Sequence, residues 1–165
     1  MVTVSSMQPV LFLDFDGVIA DASQAPPLER LRPACVSRLD RLVHDLGARV
    51  VVSSTWRTST PPAALHGYLA HHGYRGEVDS VTPVLKGWTR GEEIRMWLSA
   101  HGAWSVPFVI LDDWPLAEFA GLHDRLVSTE YDAGLTDADC ERAVRLIETQ
   151  RTPVRRFTPA TRRAA

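Results

Sequence analysis

The sequence predicts an α/β fold of the Rossmann-like type, a three-layer sandwich in which a mainly parallel five-stranded sheet carries helices on both faces. Five short apolar runs recur along the chain, and segments with helical spacing of apolar residues lie between most of them. The chain has 165 residues, of which 45% are hydrophobic, so it suits one domain with a substantial core. Alternation of strands with helices favours parallel strands, whose carboxyl ends hold the functional site.

Five runs are predicted as strands because β-branched and other apolar residues dominate them. The fourth run is ended by Pro115, which cannot continue a central strand. The predicted strands are VLFLDF (10–15), ARVVVSS (48–54), EVDSV (77–81), PFVILDD (107–113) and DRLVST (124–129).

Four helices are predicted from apolar residues at helical spacing and from residues typical of helix ends. The helix at 33–46 opens with a proline, which is tolerated in a first turn, and stops at a glycine. A second helix covers residues 62–72 and also stops at a glycine. A third begins at Thr89, which can form a capping box with Glu92, and a fourth follows Thr136.

Composition excludes several classes of protein. The net charge is −2, so a nucleic-acid contact would need a local basic patch. Cys35 and Cys140 are too few and too far apart to indicate a disulfide framework or a zinc site. No run approaches the ~18 apolar residues of a membrane span, and the N-terminal residues MVTVSSMQPV have neither a basic start nor a long apolar segment. We therefore expect a cytoplasmic protein with no membrane partner.

The predicted domain occupies residues 9–150, between two terminal segments. Residues 1–8 are expected to be a flexible N-terminus. The segment 151–165 contains five arginines, two prolines and no acid, so a disordered tail is expected. A contact between this tail and nucleic acid or a protein partner is the alternative.

Two pairs of aspartates end apolar runs. Asp14 and Asp16 are two residues apart, so their side chains can face one point, and Gly17 lets the backbone turn there. Asp112 and Asp113 end the fourth run in the same way. Carboxylates that share a small space repel each other unless a cation is present, and such oxygen ligands suit Mg²⁺. A calcium-binding loop is excluded, because it needs glycine at its sixth position and glutamate at its twelfth. Counted from Asp14, this chain has its glycine, Gly17, at the fourth position and Ala25 at the twelfth.

A third strand end carries hydroxyl groups. Ser53 and Ser54 follow the run VVV, where their hydroxyls and the main-chain N–H groups of the loop could hold a phosphate. Taken alone, Ser-Ser-Thr is equally typical of an ordinary loop. Between the third and fourth strands, VLKGWTRGEEI supplies two candidate cations, Lys86 and Arg90, and Arg90 is predicted at the first position of a helix.

In this order, DFDGV at 14–18, the strand-end serine, a basic residue that opens a helix, and LDD at 111–113 resemble the four motifs of the haloacid dehalogenase (HAD) superfamily of phosphotransferases. The resemblance covers residues 9 to about 150. In closer detail, SSTWR, RGEEIRMWL, VILDD and GLT at 134–136 resemble the small capless branch that includes the HAD domains of Swiss Army Knife RNA repair proteins. The resemblance implies a HAD-like fold without a large cap domain.

The resemblance also implies the roles of the four aspartates. Asp14 would attack phosphorus and become an aspartyl phosphate, and Asp16 would protonate the leaving oxygen and later activate water. Mg²⁺ would be held by the Asp14 carboxylate, the Asp16 main-chain carbonyl and Asp113. Asp112 would hold the waters of the metal, and the sequence leaves open whether Asp112 or Asp113 is the direct ligand.

The remaining motif residues would bind phosphate. The resemblance implies that Ser53 binds a phosphoryl oxygen, with Ser54 as the second choice. The family expects one basic residue in its third motif, and Arg90 is favoured over Lys86 because a guanidinium at a helix N-terminus can bind phosphate in a bidentate way. Lys86 would then face the substrate or solvent.

The predicted function is Mg²⁺-dependent hydrolysis of a phosphomonoester on a nucleotide or a nucleic-acid end. The segments between the motifs are too short for a cap, so the site is expected to be open unless the loop at 20–31 or a second copy in a homo-oligomer covers it. Trp56 and Arg57 follow the serine motif and are predicted to contact the substrate. The alternatives are a phosphatase for a small phosphorylated metabolite and a non-catalytic module that binds phosphate or nucleic acid.

Overall fold

The centre of the fold is a sheet of parallel strands in the order β3-β2-β1-β4-β5. The structure is a computed structural model that describes residues 8–24 and 27–152. Within these residues the sheet has five strands, as the sequence predicted. They are β1 (Val10–Leu13), β2 (Arg49–Val52), β3 (Val78–Val81), β4 (Phe108–Asp112) and β5 (Leu126–Ser128).

The strand order reverses between β1 and β4, and this places the ends of three strands at one point. Leu13, the last residue of β1, pairs with Val52 of β2 and with Leu111 of β4. The residues that follow these three positions therefore leave the sheet side by side. In parallel α/β sheets, ligands bind in the crevice at such a switch point, outside the carboxyl ends of the strands.

The helices lie where the sequence predicted them, with one additional short helix. Capping boxes begin the last two helices, formed by Thr89 with Glu92 and by Thr136 with Asp139. The helices are α1 (Pro27–Arg30), α2 (Pro33–Leu46), α3 (Pro62–His71), α4 (Arg90–Ala100) and α5 (Asp137–Arg151). Short 3₁₀ turns cover Thr55–Thr58, Leu116–Phe119 and His123–Arg125.

The core has two layers, one on each face of the sheet. Leu13 of β1 packs in the layer that includes residues of α2, α3 and α5, such as Leu39 and Ile147. Phe12 points to the other face and packs against Trp97 of α4, with ring centroids 5.4 Å apart. The predicted three-layer α/β sandwich is thereby confirmed. Alternation of side chains along each strand assigns neighbouring residues to opposite layers.

The strands are shorter than the apolar runs because the last residues of the runs form loops. The carbonyl of Phe15, for example, accepts hydrogen bonds from the N–H groups of Val18, Ile19 and Ala20, which closes a tight turn directly after β1. The residues that follow the strands are Asp14, Asp16, Ser53, Ser54 and Asp113, whereas Asp112 is the last residue of β4 and still pairs with Ser128 of β5. All of these residues lie at the carboxyl ends of the strands.

The described residues contain no inserted cap domain. Between β1 and α2 they form only α1, and between β2 and β3 they form only a 3₁₀ turn and α3. None of their helices is both long and apolar enough to cross a membrane. A flexible N-terminus was predicted for residues 1–8 and a disordered tail for residues 151–165. Of these, residues 1–7 and 153–165 lie outside the described part of the chain. The described part of the tail, Arg151 and Thr152, ends α5 and caps it.

Candidate active site

Three carboxylates from two neighbouring strand ends form the centre of the site. Asp14, Asp112 and Asp113 each place one carboxylate oxygen within 4.8 Å of the others. Asp14 follows β1, and its main-chain N–H donates a 3.0 Å hydrogen bond to the carbonyl of Leu111 in β4. This hydrogen bond fixes the two acidic motifs relative to each other. Asp14 and Asp112 are buried, so their charges are poorly screened by water.

Gly17 allows Asp113 to enter this cluster. Gly17 has a φ of +74°, and a Cβ at this position would overlap the carboxylate of Asp113. Any other residue would therefore push the Asp113 carboxylate away and strain the backbone. The hydroxyl of Thr129 donates a 2.9 Å hydrogen bond to the carbonyl of Gly17, so the loop after β5 holds the loop after β1.

Arg90 is buried between two of the carboxylates. One of its terminal nitrogens, Nη1, lies 2.9 Å from Asp14 Oδ2 and 2.6 Å from Asp112 Oδ2. Arg90 is the first residue of α4, so the capping box at Thr89 fixes where the side chain begins. Burial opposes the charge of Arg90, but the carboxylates of Asp14 and Asp112 outweigh it and raise the pKa of the guanidinium. The side chain therefore stays cationic in the site.

The carboxylate cluster carries more negative charge than Arg90 alone relieves. Burial raises the pKa of both Asp112 and Asp113, and the nearby charge of Asp14 is the second cause in each case. The pKa of Asp113 is raised to about 6. Asp113 Oδ1 and Asp16 Oδ1 are buried with no hydrogen-bond partner among the described residues. Unpartnered carboxylate oxygens in an acidic cluster are the donors that a hard divalent cation such as Mg²⁺ uses, so the residues present fit this ion.

The two adjacent aspartates have different surroundings. Asp112 Oδ2 accepts from Arg90, and Asp112 Oδ1 accepts a 3.0 Å hydrogen bond from the main-chain N–H of Trp114. Asp112 thus uses both oxygens within the protein, whereas Asp113 keeps an unpartnered one. The geometry therefore favours Asp113 over Asp112 as a direct metal ligand. Asp112 instead positions Arg90.

Asp16 is held by an indole. Trp56 Nε1 donates a 2.8 Å hydrogen bond to Asp16 Oδ2, and the ring packs against Phe15 with centroids 5.0 Å apart. Trp56 was predicted to contact the substrate, but only 8% of its surface is exposed. Its main contact in the site is with Asp16. One oxygen of Asp16 is therefore fixed by the protein, and the other has no partner in the described chain.

The two serines also differ. Ser53 is buried, and its hydroxyl has no hydrogen-bond partner among the described residues. The hydroxyl of Ser54 accepts a 3.3 Å hydrogen bond from the N–H of Trp56 and so caps the 3₁₀ turn Thr55–Thr58. A buried hydroxyl without a hydrogen-bond partner costs free energy. Ser53 is therefore the serine that would gain a hydrogen bond by donating to a phosphate oxygen.

Arg57, predicted as a substrate contact, lies inside the protein. Its guanidinium donates to the carbonyls of Ser53 (2.6 Å) and Ser54 (2.7 Å) after β2, and it forms a buried ion pair with Glu93 of α4. It also donates to the carbonyls of Thr82 and Pro83 after β3. Burial lowers the pKa of Arg57, and the carboxylate of Glu93 counteracts this effect. Arg57 therefore joins two loops and a helix instead of facing a substrate.

Lys86 and Arg90, the two candidate cations of the third motif, have different surroundings. Lys86 is exposed in the loop between β3 and α4 and takes part in no ion pair with the described residues. Arg90 is 3% exposed and meets Asp14 directly. Of the two, only Arg90 is brought into the carboxylate cluster.

Two residues of the site carry no strong signal in the sequence. Trp114 follows the second acidic pair, and its indole lies on the guanidinium of Arg90 with 3.8 Å between Cζ and the ring centroid. Glu93 is buried in α4 and accepts from Arg57 and from the N–H of Leu85 (2.9 Å). No local pattern reveals this role, because Arg57 is 36 residues away in the chain.

Comparisons with known proteins agree with this fold. The family model described as the HAD domain in Swiss Army Knife RNA repair proteins matches residues 10–140. No curated protein sequence matches the chain. The chain is also similar to a solved crystal structure with 19% sequence identity and a TM-score of 0.45, over 86% of this chain and 81% of the other. Since the family match includes the acidic, serine and basic motifs and most of the chain, this protein belongs to the family of HAD domains found in Swiss Army Knife RNA repair proteins.

Proposed function

We propose that this HAD domain is a Mg²⁺-dependent phosphomonoester hydrolase that works through an aspartyl phosphate on Asp14. One observation carries the proposal: the Asp14 carboxylate lies beside a buried guanidinium and the carboxylate of Asp113. A nucleophile, a counter-ion and a metal ligand thus meet at one strand end. The phosphatase-like activity of the superfamily supports the same reading.

The donor atoms of the cluster support metal binding. The carboxylates of Asp14 and Asp113, with the main-chain carbonyl of Asp16, would hold Mg²⁺, which when bound offsets the repulsion between the nucleophile and the phosphate. The unpartnered Oδ1 of Asp113 supports this assignment. Asp112 keeps Arg90 in place through the 2.6 Å contact.

In the first step, Asp14 attacks phosphorus. A bond forms between a carboxylate oxygen of Asp14 and phosphorus, and the bond between phosphorus and the leaving oxygen breaks. Asp16 gives its proton to the leaving oxygen, so the leaving group departs as an alcohol. The Ser53 hydroxyl donates to a phosphoryl oxygen, and Arg90 stabilises the charge that develops on the transferred group.

In the second step, water attacks the aspartyl phosphate. Asp16, now ionised, takes a proton from the water, which forms a new bond to phosphorus and displaces the Asp14 carboxylate. Asp16 then carries the proton again, and inorganic phosphate leaves. The hydrogen bond from Trp56 fixes one oxygen of Asp16, so the same free oxygen serves as acid and as base.

A nucleotide or a nucleic-acid end is the proposed substrate. The described chain has no cap domain to close over a small molecule, so a polymer end can reach Asp14. The name of the family refers to RNA repair, which supports a terminal phosphate on a nucleic acid.

A phosphate-release assay with Asp14→Asn tests this function. Wild-type protein is incubated with and without Mg²⁺ on nucleoside monophosphates, 3′- and 5′-phosphorylated oligonucleotides, sugar phosphates and phosphopeptides. We expect Mg²⁺-dependent release by the wild type and none by Asp14→Asn, because an amide is not a nucleophile for phosphorus. Asp45→Asn makes the same chemical change on the exposed face of α2 and serves as the matched control. Equal release by Asp14→Asn and the wild type would overturn the mechanism.

A further inference from the structure

We propose that a cavity beside Asp16 binds the leaving group of the substrate. The cavity favours a leaving group that itself contains a second phosphate, in the form of a phosphodiester. This inference rests on the proposed function, because it assumes that Asp16 protonates the leaving oxygen. It goes further by assigning a binding subsite and by naming the chemical class that fits it. The substrate class is an oligonucleotide end in preference to a single nucleotide.

The cavity has a volume of about 300 Å³ and opens to solvent next to the catalytic edge of the sheet. Asp16 and Trp56 line one part of it, and Arg30 of α1 lines another. Four hydroxyl-bearing residues in the segment 55–60 complete most of the lining. A cavity of this size is at the small end of sites for small molecules, so it accommodates a sugar-phosphate unit.

The position of Asp16 decides which part of the substrate enters this cavity. A general acid must lie within hydrogen-bond distance of the oxygen that it protonates. Asp16 Oδ2 is occupied by Trp56, and Asp16 Oδ1 is the buried oxygen without a partner. The leaving oxygen therefore approaches Asp16, and the group attached to it extends into the space that Asp16 lines. Neither Asp14 nor Arg90 lines the cavity, so the transferred phosphoryl group, which meets those two residues, stays outside it.

Arg30 supplies the charge that selects the leaving group. Its guanidinium lies over the ring of Trp56, 5.8 Å from the centroid, and Nε donates to the carbonyl of Gln24 (2.6 Å). No ion pair joins Arg30 to the described part of the chain, whereas Arg57 and Arg90 are both neutralised by carboxylates. Its terminal nitrogens are thus available for a bidentate contact with a phosphate.

The rest of the lining favours a polar, anionic group. Thr55, Ser59 and Thr60 bring hydroxyls to the wall of the cavity. A phosphodiester beside a sugar matches this combination, because the phosphate meets Arg30 and the hydroxyl groups of the sugar meet those of the wall. A neutral leaving group, such as the nucleoside of a mononucleotide, leaves Arg30 without a partner.

The test compares dinucleotides with mononucleotides. kcat/KM is measured for pUpU and UpUp, and for the corresponding 5′- and 3′-monophosphates of uridine, so that the two kinds of end are separated. We expect at least one dinucleotide to exceed its mononucleotide by about tenfold or more, the effect of one charged hydrogen bond. Arg30→Gln should remove most of this preference. Arg41→Gln removes the same charge from α2, where Arg41 pairs with Asp137 and does not line the cavity, and it should preserve the preference.

Two results would overturn the subsite: equal kcat/KM for dinucleotides and mononucleotides in the wild type, or the same preference in Arg30→Gln. Neither result affects the proposed function, which the phosphate-release assay with Asp14→Asn tests separately. Binding to Asp14→Asn of whichever of pUpU and UpUp has the higher kcat/KM, or of both where neither is hydrolysed, is measured by calorimetry and separates the two failures. A fall in affinity of about tenfold on adding Arg30→Gln supports the subsite, and unchanged affinity overturns it.

Discussion

The indole of Trp114 lies against Arg90, with its ring centroid 3.8 Å from the guanidinium carbon. Trp114 is 37% exposed and Arg90 is 3% exposed, so the ring covers the cation on its solvent side. The main-chain N–H of Trp114 also donates to Asp112, the carboxylate that Arg90 meets at 2.6 Å. The loop after β4 therefore both covers and orients the ion pairs of the site.

Trp114→Ala should lower kcat by about 5- to 30-fold, because a partly desolvated cation–π contact is worth about 1–2 kcal/mol. Water would reach Arg90, and the guanidinium would lose a fixed position beside Asp14. Trp114→Phe keeps an aromatic face and should recover most of the rate. Steady-state kinetics of phosphate release measure both variants.

Trp104 provides the control for this prediction. It is 51% exposed, and its indole N–H donates to Ser99 at the far end of α4. Trp104→Ala should leave kcat unchanged. A loss of activity in Trp104→Ala as large as that in Trp114→Ala would show that removal of any exposed tryptophan perturbs the enzyme.

Arg57→Met should reduce the free energy of unfolding by about 3–5 kcal/mol, because it leaves Glu93 buried without its cation. The carbonyls of Ser53 and Ser54 lose donors in the same variant. The double variant Arg57→Met with Glu93→Met should recover part of the loss, since no charge then stays unpaired. Urea unfolding measures all three proteins. A raised KM with unchanged stability would instead support the substrate contact that the sequence predicted.

Much of the fold was predictable because its signals are local. Apolar runs indicate strands, and the pairs Thr89 with Glu92 and Thr136 with Asp139 mark helix starts within four residues of chain. The meeting of the acidic motifs was predictable for a different reason. The carboxyl ends of parallel strands share one edge of the sheet, so residues that follow β1 and β4 come together whatever lies between them.

The environment of individual side chains was not predictable from such patterns. Trp56 contacts Asp16, which is 40 residues away, and Arg57 contacts Glu93, which is 36 residues away. Residues that follow a serine motif can face either the substrate or the interior. Which of the two they face depends on whether a distant buried group needs a hydrogen-bond donor. The buried carboxylate of Glu93 was that group for Arg57. A single sequence contains no signal for such a pair.

Arg90→Lys should reduce kcat strongly, and Lys86→Ala should have little effect. The guanidinium of Arg90 reaches Asp14 and Asp112 from one buried position, and an ammonium on a flexible chain does not reproduce this geometry. Arg90→Lys is chosen because Arg90→Ala would leave two buried carboxylates unpaired and endanger folding. Kinetics on the preferred substrate and the melting temperature are measured together. A larger loss of kcat in Lys86→Ala than in Arg90→Lys would assign the basic motif to Lys86.

Mg²⁺ should stabilise the protein against heat more at pH 8 than at pH 5. Burial and the charge of Asp14 raise the pKa of Asp113 to about 6, well above the pKa of an exposed aspartate. A carboxyl whose pKa is raised by folding favours the folded state below its unfolded pKa, and this contribution is lost as the pH rises through the folded pKa. The metal-free protein should therefore lose stability between about pH 4 and pH 7.

A cation that binds the ionised carboxylates reverses this loss, because it binds only the folded, deprotonated cluster. The increase in melting temperature on addition of Mg²⁺ should thus be small at about pH 5 and grow towards pH 8. Asp113→Asn should remove most of the increase at pH 8, and Asp45→Asn should retain it. An increase that is independent of pH, or that persists in Asp113→Asn, would place the bound Mg²⁺ away from this cluster.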